Sequence, residues 1–282
     1  MDVISLPALD LRRVVDAALA EDLGTGDLTS NGLVGPHETC GAELVLKEAG
    51  VVCGLDAAAA VFRALDPRAE IETLVTDGDS LEDPPSVLLR LEGRARSVLA
   101  AERTALNLLG RLSGIATLTR RYVEAIEGTD VELLDTRKTT PGLRALEKYA
   151  VRCGGGRNHR QGLYDGILVK DNHLRLAGGI GPAVARLRAS APAVPIEVEC
   201  DTLEQVREAL DAGADRILLD NMGLAEMRQA ALLANGRATL EASGGVRLET
   251  VRAIAETGVD VISVGALTHS ARSLDVSLEV FP

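Results

Sequence analysis

Pro195-Ile-Glu-Val-Glu199, Arg216-Ile-Leu-Leu-Asp220, Ala238-Thr-Leu-Glu-Ala242 and Val261-Ile-Ser-Val264 are short apolar runs that finish on or beside a polar or small residue. Their starts recur at roughly 21–23 residues, the rhythm of consecutive strand–helix units. Between them, Thr202–Ala212 and Leu248–Thr257 carry apolar residues at helical spacing. Two earlier runs, Val131–Asp135 and Gly166–Val169, bring the series to six. Buried runs joined by crossover helices make a parallel sheet covered on both faces. Repetition of this length favours an incomplete α/β barrel, with a doubly wound open sheet as the alternative.

The chain before residue 131 reads differently. Leu9–Asp22 has helical spacing and is stopped by Gly24-Thr-Gly-Asp27. Ala42–Lys47, Gly50–Cys53, Ile71–Val75 and Val87–Leu91 are strand-like runs cut by turns at Gly54, Asp77-Gly78 and Pro84-Pro85, and Asp56–Leu65 between them is helical. These features predict a small α+β unit with antiparallel strands. Ser97–Glu127 is a long helical stretch in which Gly110 and Ser113-Gly114 are expected kinks. The expected segments are therefore 1–112, sandwich plus connecting helix; 113–270, barrel; and 271–282, where Leu274–Phe281 alternates like an edge strand returning to the first domain.

Composition narrows the function. With 282 residues, 46% hydrophobic and 26% charged, the chain can bury a large core, which excludes disorder. No apolar run approaches the ~18–20 residues of a membrane span, and Met1–Asp10 lacks the basic-then-apolar order of a signal sequence. The expectation is a protein that stays in the cytoplasm. A net charge of −12 opposes general nucleic-acid binding, and 2% aromatic residues without Trp oppose base stacking. Yet Arg137–Arg175 holds nine Lys or Arg against three acids, a local +6. Such focused charge suits a pocket for a small polyanion. Cys40, Cys53, Cys153 and Cys200 form no CxxC pair and read as reduced, packed thiols.

In α/β barrels the strands' carboxyl ends converge on one mouth that carries the active site. Here those ends are Asp135-Thr-Arg-Lys138, Lys170-Asp-Asn-His173, Glu197-Val-Glu199, Asp220-Asn221, Glu241-Ala-Ser-Gly-Gly245 and Ser263-Val-Gly-Ala266. Arg137 and Arg160 are planar forks suited to carboxylates or phosphates; Lys138 and Lys170 are point charges. Glu199 and Asp220, acids in a basic mouth, fit a bridging Mg²⁺. Gly244-Gly245 and Gly265 offer bare backbone N–H groups to a phosphate. His173, following Asp171-Asn172 in a turn, reads as structural.

Several of these stretches, Asp135-Thr-Arg-Lys-Thr-Thr-Pro-Gly142, Glu147-Lys-Tyr-Ala150, Gly154-Gly-Gly-Arg-Asn-His-Arg-Gln-Gly162 and Val169-Lys-Asp-Asn-His173 above all, resemble the quinolinate phosphoribosyltransferases. Glu21–Thr29, Lys47–Val51, Glu102–Asn107, Glu197–Glu199, Leu219–Asn221 and Glu241–Gly245 add to the resemblance in the family's order. It implies an amino-terminal sandwich and an incomplete, about seven-stranded barrel. It also implies that quinolinate and phosphoribosyl pyrophosphate (PRPP) yield nicotinate mononucleotide, pyrophosphate and carbon dioxide, in NAD biosynthesis. By the same resemblance Thr136, Arg137, Lys138, His159, Arg160 and Lys170 line the quinolinate site, and Arg103 reaches in from the partner of a homodimer. Glu199 and Asp220 face ribose and Mg²⁺–pyrophosphate, directly or through water, and the turns Ser243, Gly244, Gly245 and Val264, Gly265, Ala266 hold phosphate. The rivals are a nicotinate phosphoribosyltransferase, a molybdenum-transport relative of the same fold, a Schiff-base aldolase using Lys170, and a non-catalytic nucleotide sensor.

Overall fold

The computed structural model describes residue 6 and residues 8–281; residues 1–5, 7 and 282 lie outside the description, and with them most of the Met1–Asp10 stretch in which no signal sequence is expected. Along the chain, α1 (Ala8–Leu23) and α2 (Leu28–Leu33) precede β1 (Thr39–Leu46), β2 (Gly50–Val51) and α3 (Leu55–Leu65). Then come β3 (Glu70–Thr73), β4 (Ser80–Leu81), β5 (Ser86–Arg94) and the long α4 (Ala95–Ala125). After β6 (Glu132–Leu134) and α5 (Arg144–Cys153) the alternation begins: β7 (Ile167–Val169), α6 (Asp171–Ala177), α7 (Ile180–Ser190), β8 (Ile196–Cys200) and α8 (Leu203–Asp211). It continues through β9 (Arg216–Asp220), α9 (Leu224–Ala234), β10 (Thr239–Ser243), α10 (Leu248–Ala255) and β11 (Val261–Ser263), and the chain closes with α11 (Ala266–His269) and β12 (Val276–Phe281).

Two compact units result, and neither is a single stretch of chain. The first takes residues 1–120, 139–155 and 266–282; the second takes 121–138 and 156–265. The 112/113 boundary expected from the sequence falls inside one uninterrupted helix, α4, and α5 belongs with the first unit rather than with the barrel.

The first unit holds an antiparallel sheet in the order β12-β1-β5-β3, with β2-β4 as a small companion. Alternation in β1 buries Ala42, Leu44 and Leu46, and Leu44 stands opposite Leu89 of β5. At the edge, β12 pairs along β1 from Gly41↔Phe281 to Leu46↔Val276. Helix α4 continues without a break through its glycines, which serve a close approach. A Cβ on Gly110 would meet the carbonyl oxygen of Leu274, and one on Gly114 would overlap that of Arg272. These glycines let the segment leading into β12 lie against the helix backbone, a purpose their spacing alone does not reveal.

The second unit is a fully parallel six-stranded sheet, β6-β11-β10-β9-β8-β7. A seventh strand is reduced to one residue: Arg157 bridges Leu134 in parallel, through Asp135 N–H to Arg157 O (3.1 Å) and Arg157 N–H to Leu133 O (2.8 Å). Period-2 geometry then divides the side chains. Ile196, Val198, Ile217, Leu219, Leu240, Ala242 and Ile262 are buried on the helix-covered side. Glu197, Glu199, Leu218, Asp220, Glu241, Ser243 and Ser263 share the inner side.

Gly114→Ala should be costly, because helix backbone and the Arg272 carbonyl would have to part. Overpacking of this kind costs ~1–3 kcal/mol, which lowers the melting temperature of a chain this size by roughly 2–12 °C. An unchanged melting temperature in calorimetry would show that the close approach is not required.

Candidate active site

A cavity of about 520 Å³ opens at the carboxyl ends of the second unit's strands. Thr136, Arg137, Lys138, His159, Arg160, Lys170, Glu199 and Asp220 all line it, as do Ser243, Gly244 and Gly245. The sequence reading therefore finds its residues in one place. Asn221, Glu241 and Ser263, which the sequence placed at strand ends without giving them a role, lie in the same lining.

Strand geometry sets each side chain. Glu199, next to last in β8, and Asp220, last in the neighbouring β9, lie on the inner side. Lys170, one residue beyond β7, places Nζ 2.5 Å from Glu199 Oε2. Thr136 Oγ1 accepts the backbone N–H of Lys138 (3.0 Å), which shapes the turn after β6. Burial and then the charge of nearby Arg137 lower the pKa of Arg160. Two guanidiniums that repel one another at a mouth gain when an anion comes between them. Asn221 adopts a left-handed φ of 56° and packs so closely on Gly244 (φ 90°) that a Cβ there would overlap its amide. Gly244 is thus the only residue type that fits this turn.

His159 is largely buried. Its Nε2 is 3.2 Å from Glu197 Oε2 and 3.4 Å from Glu241 Oε2, carboxylates from strands two apart in the sheet. Its Nδ1 receives the backbone N–H of Arg160 at 2.7 Å. Burial works against a charged ring, but the two carboxylates outweigh it and push His159 up to about 9. Burial also raises Glu197; His159 and Ser263 hold Glu241 low against its own burial. The extra proton of this cluster competes with the Arg160 N–H for Nδ1, and the raised Glu197 is its other seat.

Other expectations fare differently. Val264, Gly265 and Ala266 are not in the cavity lining, and the Val264 N–H is spent on Leu134 O (2.9 Å) in the sheet. Arg103, on α4 of the first unit, is largely exposed and pairs loosely with Glu102 at 4.0 Å. The +6 segment does not converge as a whole: Arg144, Lys148 and Arg152 lie on α5, Lys148 is buried, Arg157 pairs with Glu132, and Arg175 pairs with Asp171. Four of its nine cations reach the mouth. His173 accepts the Lys170 N–H at Nδ1 (2.9 Å) and caps α6, a structural task. All four cysteines are buried and unpaired, although folding brings Cys53 and Cys153 together beside Asp77.

The description "Quinolinate phosphoribosyl transferase, C-terminal domain" matches residues 115–279, and its N-terminal counterpart matches residues 27–113. The chain belongs to the quinolinate phosphoribosyl transferase family. A probable nicotinate-nucleotide pyrophosphorylase [carboxylating] of Bacillus subtilis is 47% identical over 273 residues, covering 96% of this chain and 94% of that protein. A quinolinate phosphoribosyltransferase [decarboxylating] of Nicotiana tabacum is 40% identical over 97% of this chain and 83% of its own. The solved nicotinate-nucleotide pyrophosphorylase of Francisella tularensis superposes with a TM-score of 0.94 at 41% identity, covering all of both chains. Family membership and architecture thus agree with the mouth assembled above.

The folded His159 cluster binds a proton that the unfolded chain has released above about 6.5. Its contribution to stability is complete below that pH and is lost as the pH climbs through about 9. Melting temperatures followed across this window should fall in the native protein and fall less in His159→Gln. Parallel curves would mean that the cluster holds no such proton.

Proposed function

We propose that this chain is a decarboxylating quinolinate phosphoribosyltransferase, which joins quinolinate to PRPP and releases nicotinate mononucleotide, pyrophosphate and carbon dioxide for NAD biosynthesis. The observation that carries the reading is the mouth itself: mutually repelling Arg137 and Arg160 stand beside Glu199, Asp220 and the Ser243–Gly245 turn. A pyridine dicarboxylate supplies two anionic groups to Arg137 and Arg160, with Lys138, Lys170 and the Thr136 hydroxyl nearby, and His159 beneath. The Ser243–Gly245 turn offers backbone N–H groups to the phosphate of the ribose ester.

As pyrophosphate departs, positive charge develops on the ribose, and the carboxylates of Glu199 and Asp220 stabilise it. Those two acids are hard oxygen donors on adjacent strands, a set that suits Mg²⁺, which typically takes one or two carboxylates and substrate phosphates. Bound with pyrophosphate, Mg²⁺ supplies charge neutralisation to the leaving group. Lys170 holds Glu199 in place through its 2.5 Å bond. Once ribosylated, the pyridinium nitrogen stabilises an electron pair on the adjacent carbon, so carbon dioxide leaves with little further help and a proton from water takes its place on that carbon. The aldolase reading is disfavoured by Lys170's partner: a half-exposed ammonium bonded to a carboxylate lacks the apolar or cationic surroundings that activate Schiff-base lysines.

Quinolinate, PRPP and Mg²⁺ should give nicotinate mononucleotide and carbon dioxide by mass analysis, whereas nicotinate should be a poor substrate and excess chelator should stop turnover. Formation of the nucleotide from nicotinate alone would favour the rival phosphoribosyltransferase. Arg137→Lys keeps the charge but loses the two parallel bonds to a carboxylate, worth ~2–3 kcal/mol, so kcat/KM should drop roughly 30–150-fold in a folded protein. Unchanged kinetics would reduce Arg137 to a surface charge.

The cytoplasm suits four unpaired thiols. The exposed Arg103 suits a homodimer in which each mouth receives it from the other chain. Arg103→Ala and Lys170→Ala, each inactive, would then be refolded together. Mixed dimers, about half of the total, have one intact site, so ~25% of sites should work. A mixture that stays inactive would place both residues in the same chain's site.

A further inference from the structure

We propose that Asp135, Glu197 and Glu241 are positioning residues for the pyridine-carboxylate subsite, acting through His159; the inference rests on the reading of the mouth given above. Three carboxylates from β8, β10 and the end of β6, none more than 3% exposed, converge on this one loop residue. Asp135 fixes the backbone: its Oδ1 accepts the His159 N–H at 2.8 Å and its Oδ2 accepts Asn158 Nδ2 at 2.6 Å. Glu197 meets the far tip of the ring at 3.2 Å, and the charge of Glu241 attracts it from 3.4 Å. Arg160 inherits the result, because its own N–H ends on His159 Nδ1 and its Nη1 reaches Gly166 O at 2.9 Å.

A second cavity of about 530 Å³, lined by Pro195, Ile167 and Arg216 together with Glu197, reaches His159 from the other end of the strands. The carboxylates are the charged groups that meet the outer nitrogen of the ring. Stability alone does not explain three acids at this place. Barrel interiors are normally filled by branched apolar side chains, and replacing buried ions with apolar groups of similar volume is often neutral or stabilising. Three buried acids spent on one residue are explained by what that residue must hold, the guanidinium of Arg160 at the mouth. The charged neighbours of the ring are these acids, Arg160 on its own loop, and Arg216, which stands opposite Glu197 in the register of β8 and β9.

The test uses the full-length protein with Glu197→Gln and Glu241→Gln, which keep side-chain shape. Each should raise the KM for quinolinate about tenfold to a hundredfold while the KM for PRPP stays within about threefold. A variant that loses melting temperature with both KM values unchanged would show a purely structural role and overturn the proposal. A second measurement needs neither substrate nor a variant of these acids. With ¹³C-labelled histidine, the four ring signals are assigned by replacing His37, His173 and His269 in turn with Gln. At neutral pH His159 of the native protein should show one ring tautomer, with the proton on Nε2 facing the carboxylates and Nδ1 free to accept from Arg160; a ring that averages between tautomers means that the carboxylates do not grip it, and the proposal fails. Because the tautomer measurement involves no substrate, its failure is distinct from a failure of the chain to turn over quinolinate.

Discussion

The inner faces of β8, β9 and β10 carry acids where a barrel of this kind ordinarily carries Val, Ile and Leu. Buried charge is costly unless its partners arrive with good geometry. Here they arrive from outside those strands. Lys170, just past β7, meets Glu199, and His159, on the loop after the one-residue bridge at Arg157, meets Glu197 and Glu241. One imidazole thereby ties together two strands that are not neighbours in the sheet. The course of the 156–165 loop and the polarity of the interior thus answer a single requirement, that these acids be met.

The same requirement explains why the mouth takes anions although the chain as a whole is acidic. Glu197 and Glu241 are engaged below by His159, and Glu199 is engaged by Lys170. Arg137 and Arg160 press against each other electrostatically at the rim. A dicarboxylate entering there relieves repulsion instead of creating it. Net charge sets the behaviour of the surface; the ordering of charge along the strands sets the site.

Much of this was legible in the sequence, for physical reasons. Strands buried on one side and polar on the other write their period into the chain, and Arg216–Asp220 is a strand over the whole of the run that marks it. The polar strand ends pointed to one mouth because parallel strands place all their carboxyl ends together. What stayed hidden depends on partners distant in sequence. Gly110 and Gly114 look like helix breakers until the Leu274 and Arg272 carbonyls are seen against them. Val264 looks like part of a phosphate turn until its N–H is found bonded to Leu134. Lys148 adds to a basic run in sequence yet is buried on α5 in the first unit. Glu241 was visible as a strand residue, but its tie to His159 crosses some eighty positions of chain.

The central claim is that one mouth holds a pyridine dicarboxylate between Arg137 and Arg160 with the ribose ester seated at Ser243–Gly245. A crystal structure with quinolinate and an unreactive PRPP analogue tests it most directly. The account predicts carboxylate density within hydrogen-bond reach of both guanidiniums and the 5′-phosphate on the Ser243–Gly245 backbone. Quinolinate bound elsewhere, or in this cavity with neither arginine in contact, would contradict it.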